Sequence, residues 1–235
     1  MPTVDSIKAT FVGCQNIKNQ FIHSHGIMLI SVGQVQHESA NLESMVSLIN
    51  KSFRCCTIAV CDSLQRHNID INNSYANNKY HGLANSKGDD WISRNQHRIN
   101  LFNIPVMIKR WDDWLTNETF HEQLKIVMNL YKNNNIFYTA IHETINQFTN
   151  RFIKNNKIIN PNYEIIFTNC LNYLIEEIAI MMLIMPNEGY QFVLYPNKFI
   201  SAFTVAHDIF LKSNGINLMN WVHVQLKRKS STLYY

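Results

Sequence analysis

Two apolar runs with one amphipathic segment between them constrain the fold of this chain more than any other feature of its sequence. The first run is Gly26–Ser31 and the second is Thr57–Cys61, and each is short, continuous and bounded by polar residues. The intervening segment Glu38–Phe53 has apolar residues at the spacing of one helix face: Leu42, Met45, Val46 and Ile49. A strand, a helix and a second strand in this order predict a βαβ unit with parallel strands.

Further segments repeat these signals along the chain. Strands are predicted at Lys8–Val12, Pro105–Lys109 and Gln191–Tyr195, with an edge strand at Leu218–Gln225. Helices are predicted at Ser86–Leu101, Glu118–Tyr131, Phe137–Ile153 and Tyr163–Leu183, and a loop at Asn68–Asn85. Neither an internal repeat nor a linker is visible. We therefore expect residues 1–235 to form a single α/β domain, with a Rossmann-like, mainly parallel sheet flanked by helices.

Composition and motifs exclude several classes of protein. Hydrophobic residues make up 46% of the chain and charged residues 16%, which predicts an ordered core. The five cysteines form no CxxC pair and the histidines lack metal-ligand spacing, so we expect neither disulfides nor a metal site. A phosphate-binding glycine loop and a signal peptide are also missing, and the apolar stretch Leu174–Met185 is too short for a membrane span. The sequence thus predicts a cytoplasmic protein without a cofactor.

Three polar residues stand where predicted strands end, and Ser31 is the most suggestive of them. Asp62 and Tyr195 are the other two. Ligands of parallel sheets bind beyond the carboxyl ends of strands. A turn at Gly33 would expose the Ser31 hydroxyl and aim backbone N–H groups at an oxyanion, although Leu29 breaks the G-x-S-x-G pattern of a nucleophile elbow. A serine that only caps the next helix is the simpler alternative, and it stays open here.

Tyr173 and Glu177 lie four residues apart on one predicted helix and so share a face. The helix is apolar on nearly all sides, and a buried carboxylate needs a partner, for which a ligand's ammonium group is suitable. Tyr195 could donate or relay a proton. The alternatives are a solvated Glu177 and two ordinarily packed tyrosines.

A stripe of basic residues suggests contact with nucleic acid. Lys87, Arg94 and Arg98 fall on one face of a predicted helix, and Lys109–Arg110 and Lys227–Lys229 form two further basic clusters. The net charge is only +4, so a merely solvated helix face remains the alternative.

Five segments, in order and over most of the chain, resemble the tRNA-dependent cyclodipeptide synthases. They are Leu29–Gln34, Thr57–Asp62, Asn172–Glu177, Val193–Pro196 and Ser201–Phe203. The fold of that family is similar to the catalytic domain of class I tyrosyl- and tryptophanyl-tRNA synthetases without the ATP-binding motifs. In agreement, Ser24–Gly26 and Lys227–Ser231 do not match the HIGH and KMSKS boxes of those synthetases.

The resemblance implies that two aminoacyl-tRNAs are the substrates and that no cofactor is needed. Ser31 would accept the first aminoacyl group, Tyr173 and Glu177 would hold its ammonium group, and Tyr195 would relay protons. A second charged tRNA would extend this intermediate to a dipeptidyl-Ser31, which closes to a cyclodipeptide. Gln34, Tyr195 and Pro196 match the branch of the family that has a variable residue, Tyr and Pro at these positions.

The resemblance also implies the surroundings of the substrate. The first aminoacyl pocket is lined by six residues: Ile27, Leu29, Ala59, Trp111, Ile180 and Val193. Leu29 and Trp111 fill volume there, which predicts a small first amino acid. Gly33, Gln34 and Pro196 complete the predicted substrate site, and Arg151 and Lys198 are candidates for the second pocket.

The stripe of Lys87, Arg94 and Arg98 falls where the family binds tRNA. We expect a monomer that binds neither DNA nor a membrane. Two other functions stay open: a serine hydrolase, which would need a histidine base near Ser31, and a non-catalytic tRNA-binding module.

Overall fold

A six-stranded, mainly parallel sheet organises the molecule, as seen in a computed structural model that describes residues 7–76 and 78–228. The strands are β1 (Ile7–Val12), β2 (His25–Ile30), β3 (Cys55–Val60), β4 (Val106–Arg110), β5 (Phe192–Tyr195) and β6 (Asn220–Arg228). Their order across the sheet is β1-β6-β5-β2-β3-β4. Of these six strands, only β1 runs antiparallel to its neighbour, β6. The predicted α/β fold with helices flanking a mainly parallel sheet is confirmed.

In the part of the chain that the structure describes, eight α-helices connect or flank these strands. They are α1 (Lys18–Phe21), α2 (Ser39–Asn50), α3 (Asn78–Ile99), α4 (Trp111–Leu115), α5 (Phe120–Asn133), α6 (Asn135–Asn156), α7 (Tyr163–Ala179) and α8 (Ser201–Phe210). Short 3-10 helices lie at Val35–His37, Ser63–His67 and Lys212–Asn214. A π-helix, Ile180–Ile184, follows α7 directly and leads into the 3-10 turn Met185–Glu188.

The sheet separates two apolar cores, and the alternation of strand side chains assigns each residue to one of them. In β2, Ile27 and Leu29 face the core that is shared with α4 to α8, whereas Met28 and Ile30 face the core shared with α2 and α3. All four side chains are at most 3% exposed. Burial on both faces explains why the central strands read as continuous apolar runs in the sequence.

Two predictions at the level of elements are wrong. The segment Leu218–Gln225 is not an edge strand, because β6 lies inside the sheet between β1 and β5. The predicted loop Asn68–Asn85 becomes helical from Asn78, where α3 begins. Its asparagines and glycines disfavour a helix locally, but Ala84 and Trp91 anchor it in the protein interior. Helices α1, α4 and α8 were not predicted.

The helical run Tyr163–Glu188 is longer than the apolar stretch Leu174–Met185 that the sequence suggested. By length and composition alone it could span a membrane. However, 61% of its most apolar window is buried within the protein, and side chains such as Ile175, Ile178 and Met181 belong to the core next to the sheet. Core packing therefore accounts for its apolar character.

Candidate active site

Ser31 and Tyr195 meet at the carboxyl edge of the sheet. Ser31 directly follows β2 and Tyr195 is the last residue of β5, and these two strands are paired in parallel. The Ser31 hydroxyl lies 2.9 Å from the Tyr195 hydroxyl, and either oxygen can be the donor. Burial raises the pKa of Tyr195, while its hydrogen bond with Ser31 opposes that shift. The phenol therefore stays neutral near pH 7 and can both donate and accept a proton.

A tight turn follows Ser31 at the carboxyl edge of the sheet. The N–H of Gln34 donates to the carbonyl of Ser31 at 3.1 Å, and Gly33 has a φ of 88°. Only glycine adopts this left-handed conformation without strain, so Gly33 is needed for the turn. Within residues 7–76 and 78–228, the N–H groups of Val32 and Gly33 have no hydrogen-bond acceptor, which leaves both available to a ligand. The side chain of Gln34 is exposed.

Glu176 and Glu177 are adjacent in α7 and have opposite environments. Glu176 is 4% exposed and accepts hydrogen bonds from Arg66 and from the indole N–H of Trp111, the latter at 3.0 Å. His67 approaches it at 3.4 Å. Burial alone would raise the pKa of Glu176, but its contacts with His67 and Arg66 lower it. Glu176 is thus a paired structural anion.

Of these two carboxyl groups, Glu177 is the one without a partner among the described residues. Within the described part of the chain, no hydrogen bond or ion pair reaches it. Burial, with the charge of Glu176 as a smaller cause, raises the pKa of Glu177 to about 8. The charge of Glu177 helps to raise the pKa values of Tyr173, Tyr195 and Cys61, so its carboxyl group lies near these three side chains. A partly buried carboxyl group without a partner is suited to bind a cationic group.

Tyr173 completes the side chains that the sequence assigned to chemistry. It lies one turn before Glu177 in α7, and its hydroxyl accepts a hydrogen bond from the Gln65 side chain at 3.4 Å. Burial, followed by the charge of Glu177, raises the pKa of Tyr173 well above its usual value. The structure therefore brings Ser31, Tyr173, Glu177 and Tyr195 to one edge of the sheet.

Beneath this edge, the six predicted pocket residues form part of a single core. They are Ile27, Leu29, Ala59, Trp111, Ile180 and Val193, and all are at most 3% exposed. The strand register sets Leu29 beside Ala59 and Ile27 beside Val193. Pro196 follows Tyr195 at the rim, whereas Arg151 and Lys198 are exposed side chains.

Asp62, the third polar strand-end residue, has a structural role. It is fully buried and pairs with Arg110, which also contacts Asp89 at 2.6 Å. Its carboxylate accepts the N–H of Ser63 at 2.8 Å and of Trp111 at 3.3 Å, fixing the starts of two short helices. Asp62 is fully paired and is not a free catalytic acid.

Two groups beside the site were not among the residues predicted from the sequence. His37 lies six residues after Ser31, and its Nδ1 is 3.1 Å from the backbone nitrogen of Ser31. The second group is the pair Arg66 and His67 that holds Glu176. Neither belongs to a motif, and only the short distance from Ser31 to His37 along the chain could have drawn attention to it. Among the described residues, no imidazole forms a hydrogen bond with the Ser31 hydroxyl, which disfavours a hydrolase triad.

The basic stripe lies on α3, with two of its members paired to acidic residues. Lys87 is exposed. Arg94 is 60% exposed and contacts Glu38 at 3.3 Å, whereas Arg98 is 20% exposed and contacts Glu43 at 3.0 Å. The positive potential of the stripe is therefore lower than its three charges suggest. Lys229, part of another predicted basic cluster, lies outside the described residues.

Two cyclodipeptide synthases are among the solved structures that are similar to this chain. A cyclodipeptide synthase from Fluoribacter dumoffii is 33% identical, with a TM-score of 0.91 over 96% of this chain and 100% of that chain. A cyclodipeptide synthase from Candidatus Glomeribacter gigasporarum bound to Phe-tRNAPhe is 18% identical, with a TM-score of 0.66 over 90% of this chain and 91% of that one.

A more distant similarity links the fold to a synthetase. The tyrosyl-tRNA synthetase from Aeropyrum pernix is 9% identical, with a TM-score of 0.51 over 85% of this chain and 52% of that chain. The expected relationship to the class I synthetase fold is confirmed. No family model matches the sequence, and no curated protein matches it.

Proposed function

Because the chain belongs to the cyclodipeptide synthase family, we propose that it joins two amino acids from charged tRNAs into a cyclic dipeptide through a covalent Ser31 intermediate. The observation that carries the proposal is the hydrogen bond between the hydroxyls of Ser31 and Tyr195. Glu177, which has no partner among the described residues, lies near enough to Tyr195 for its charge to raise the pKa of that phenol. A relative bound to Phe-tRNAPhe supports aminoacyl-tRNAs as the substrates. We propose further that the enzyme acts in the cytoplasm, as a monomer.

In the first step, Ser31 takes over the aminoacyl group. Its oxygen attacks the ester carbonyl at the 3′ end of the tRNA, and the released tRNA hydroxyl receives the proton that Ser31 loses, with Tyr195 as the relay. One ester replaces another, so the step needs no external energy source. The free N–H groups of Val32 and Gly33 are the candidate donors to the oxyanion. Glu177 and Tyr173 hold the ammonium group of the aminoacyl residue and so align its carbonyl with Ser31.

In the second step, the amine of the Ser31-bound residue attacks the ester of the second aminoacyl-tRNA. An amide bond forms, the tRNA hydroxyl leaves, and a dipeptide stays attached to Ser31. The amine must first lose a proton. Glu177, which holds this ammonium group, is the proposed acceptor of the proton.

The last step releases the product and restores the enzyme. The terminal amine of the dipeptide attacks the Ser31 ester, closes a six-membered ring and returns a proton to the Ser31 oxygen. Tyr195, at 2.9 Å from that oxygen, is the proposed donor. Both later steps convert an ester to an amide, which favours them thermodynamically.

The packed core below Ser31 supports a small first amino acid, such as Ala, Gly or Ser. The side chains of Leu29 and Trp111 are buried in this core, and we propose that they leave no space for a larger side chain of the first amino acid. The indole of Trp111 is held by Glu176, so it cannot move away at low cost. Gln34 and Pro196 support assignment to the branch of the family with a variable residue, Tyr and Pro.

One experiment tests the proposal directly. The purified protein is mixed with a set of charged tRNAs, and products and protein are analysed by mass spectrometry. We expect a cyclic dipeptide from the wild type and an acyl adduct on Ser31 at short times, and neither from Ser31→Ala. Release of free amino acids without dipeptide would contradict the proposal in favour of hydrolysis, and binding without any product would favour a tRNA-binding module.

A further inference from the structure

The side chain of His37 contacts the backbone of Ser31 from inside the protein. The ring is fully buried, and its Nδ1 lies 3.1 Å from the backbone nitrogen of Ser31. Nδ1 is also 3.3 Å from the carbonyl of Ser31, but that carbonyl already accepts the N–H of Gln34 at 3.1 Å. The N–H of Ser31 has no other acceptor among the described residues, so we assign Nδ1 as its acceptor. The proton of the neutral ring then lies on Nε2, which is buried and has no partner among these residues.

The same ring packs against the second hydroxyl residue of the site. The ring centroids of His37 and Tyr195 are 5.3 Å apart at an angle of 56°. His37 therefore contacts both Ser31 and Tyr195, whose hydroxyl groups form a hydrogen bond of 2.9 Å. Its own backbone is fixed as well, because its N–H donates to Gln34 and its carbonyl accepts the indole N–H of Trp91 at 3.1 Å.

We propose that His37 is a positioning residue, whose uncharged imidazole holds the Ser31 backbone and the Tyr195 ring in the geometry for acyl transfer. This inference rests on the proposed function. With its N–H bound to His37, Ser31 cannot use that group for the oxyanion, so the free N–H groups of Val32 and Gly33 remain for this task. Among the described residues, the Ser31 hydroxyl bonds to Tyr195 and not to His37, so we propose that His37 acts through the residues it holds.

Two substitutions distinguish positioning from simple filling of space. His37→Asn keeps an acceptor oxygen close to the position of Nδ1, whereas His37→Leu keeps volume and removes the acceptor. We expect His37→Leu to slow single-turnover formation of the Ser31 adduct on the order of a hundredfold, with the dissociation constant for the charged tRNA unchanged. We expect His37→Asn to recover most of this loss. Equal rates for His37→Leu and wild type, or equal losses in both variants, would overturn the proposal.

A measurement on the wild-type protein covers the case in which His37→Leu does not fold. Nitrogen NMR of the labelled protein should show His37 with an unprotonated Nδ1 and a protonated Nε2 throughout the range of pH 5 to 8. A His37 ring that carries its proton on Nδ1, or becomes charged in this range, would contradict the assigned hydrogen bond. The Ser31→Ala variant separates the two proposals. If Ser31→Ala forms no adduct, but the His37 variants and the NMR spectrum do not give the expected results, the proposal for His37 is wrong and the proposed function is retained.

Discussion

At the scale of single residues, the site depends on two neighbouring carboxylates that the fold treats differently. Glu176 and Glu177 follow each other in α7, so the helix points their side chains in different directions. Glu176 contacts Arg66, His67 and Trp111. Glu177 lies at the candidate site and has no partner among the described residues. The first carboxylate holds α7 against the segment Ser63–His67, and with α7 in this position the second one lies near Tyr173 and Tyr195. Separate environments for two carboxylates provide separate roles for them.

Opposite effects of pH on stability are expected from these two residues. Because the pKa of folded Glu177 is raised to about 8, its stabilising contribution is complete at low pH and is lost as pH rises from about 4.3 to about 8. The pKa of folded Glu176 is lowered, so its contribution is present above about pH 4.3 and is lost as pH falls. Glu177→Gln should therefore gain in melting temperature over wild type between pH 5 and pH 9, although it loses acyl transfer about a hundredfold or more.

Glu176→Gln is the matched control for this prediction. It leaves Arg66 without its charged partner and should destabilise the fold by about 3 kcal/mol at pH 7, with a smaller loss at pH 4. Thermal unfolding of both variants and wild type across pH measures these differences. If Glu177→Gln were destabilised more at pH 9 than at pH 5, the buried, unpaired state of Glu177 would be wrong.

Leu29 gives a prediction about specificity. Leu29→Gly removes a side chain that fills the core below Ser31, so charged tRNAs with larger first residues should yield products that wild type does not make. Met28→Ala is the control, since Met28 faces the opposite core and its loss should destabilise the protein without changing the products. Products are identified by mass spectrometry from a mixture of charged tRNAs. An unchanged spectrum for Leu29→Gly would disprove the pocket assignment.

At the scale of elements, α3 shows how tertiary contacts decide what local composition cannot. Gly88 faces Asp62 so closely that an added Cβ would lie 2.3 Å from its Oδ2 and 2.7 Å from its Cβ. Asp62 in turn pairs with Arg110 at the end of β4. A glycine in mid-helix thus weakens α3 locally but permits the contact that attaches α3 to the ends of β3 and β4.

Substitution of two glycines in α3 tests this interpretation. Gly88→Ala should destabilise the protein by about 1–3 kcal/mol, because Asp62 and Arg110 must move. Gly82→Ala is the matched control in the same helix, where an added Cβ has nothing within 4 Å, and it should stabilise by about 0.5–1 kcal/mol. Chemical denaturation of both variants measures the effects. A neutral Gly88→Ala would show that the packing against Asp62 is not tight.

The difference between local sequence patterns and tertiary contacts explains which parts of the fold were predictable. The central strands β2 and β3 were evident because burial on both faces gives a continuous apolar run. The position of β6 was not, because it depends on the antiparallel pairing with β1, more than two hundred residues earlier in the chain. Ser31 and Tyr195 were predictable as strand-end residues, while His37 and Arg66 act through contacts that no local pattern encodes.

At the scale of the whole molecule, Ser31 and the basic helix α3 are connected by a continuous set of contacts. Trp91 of α3 donates to the backbone of His37, and Arg94 and Asn95 of α3 both contact Glu38, the next residue. The turn after Ser31 is therefore anchored to α3. A tRNA bound along α3 would lie against the same elements that fix Ser31.

This arrangement predicts that charge reversal on α3 weakens the binding of tRNA much more than it slows the chemical step. Arg94→Glu and Arg98→Glu should weaken aminoacyl transfer from intact tRNA far more than from a minimal aminoacyl-RNA mimic, because only the intact tRNA reaches along the helix. Arg94 should matter more, since its guanidinium is 60% exposed against 20% for Arg98. For each tRNA phosphate that a variant no longer neutralises, the salt dependence of tRNA binding should fall by about one unit of slope.

Lys132→Glu on α5 makes the same change in net charge on another helix and serves as the control. Equal losses with both substrates, or an equal effect of Lys132→Glu, would remove α3 from the tRNA-binding surface.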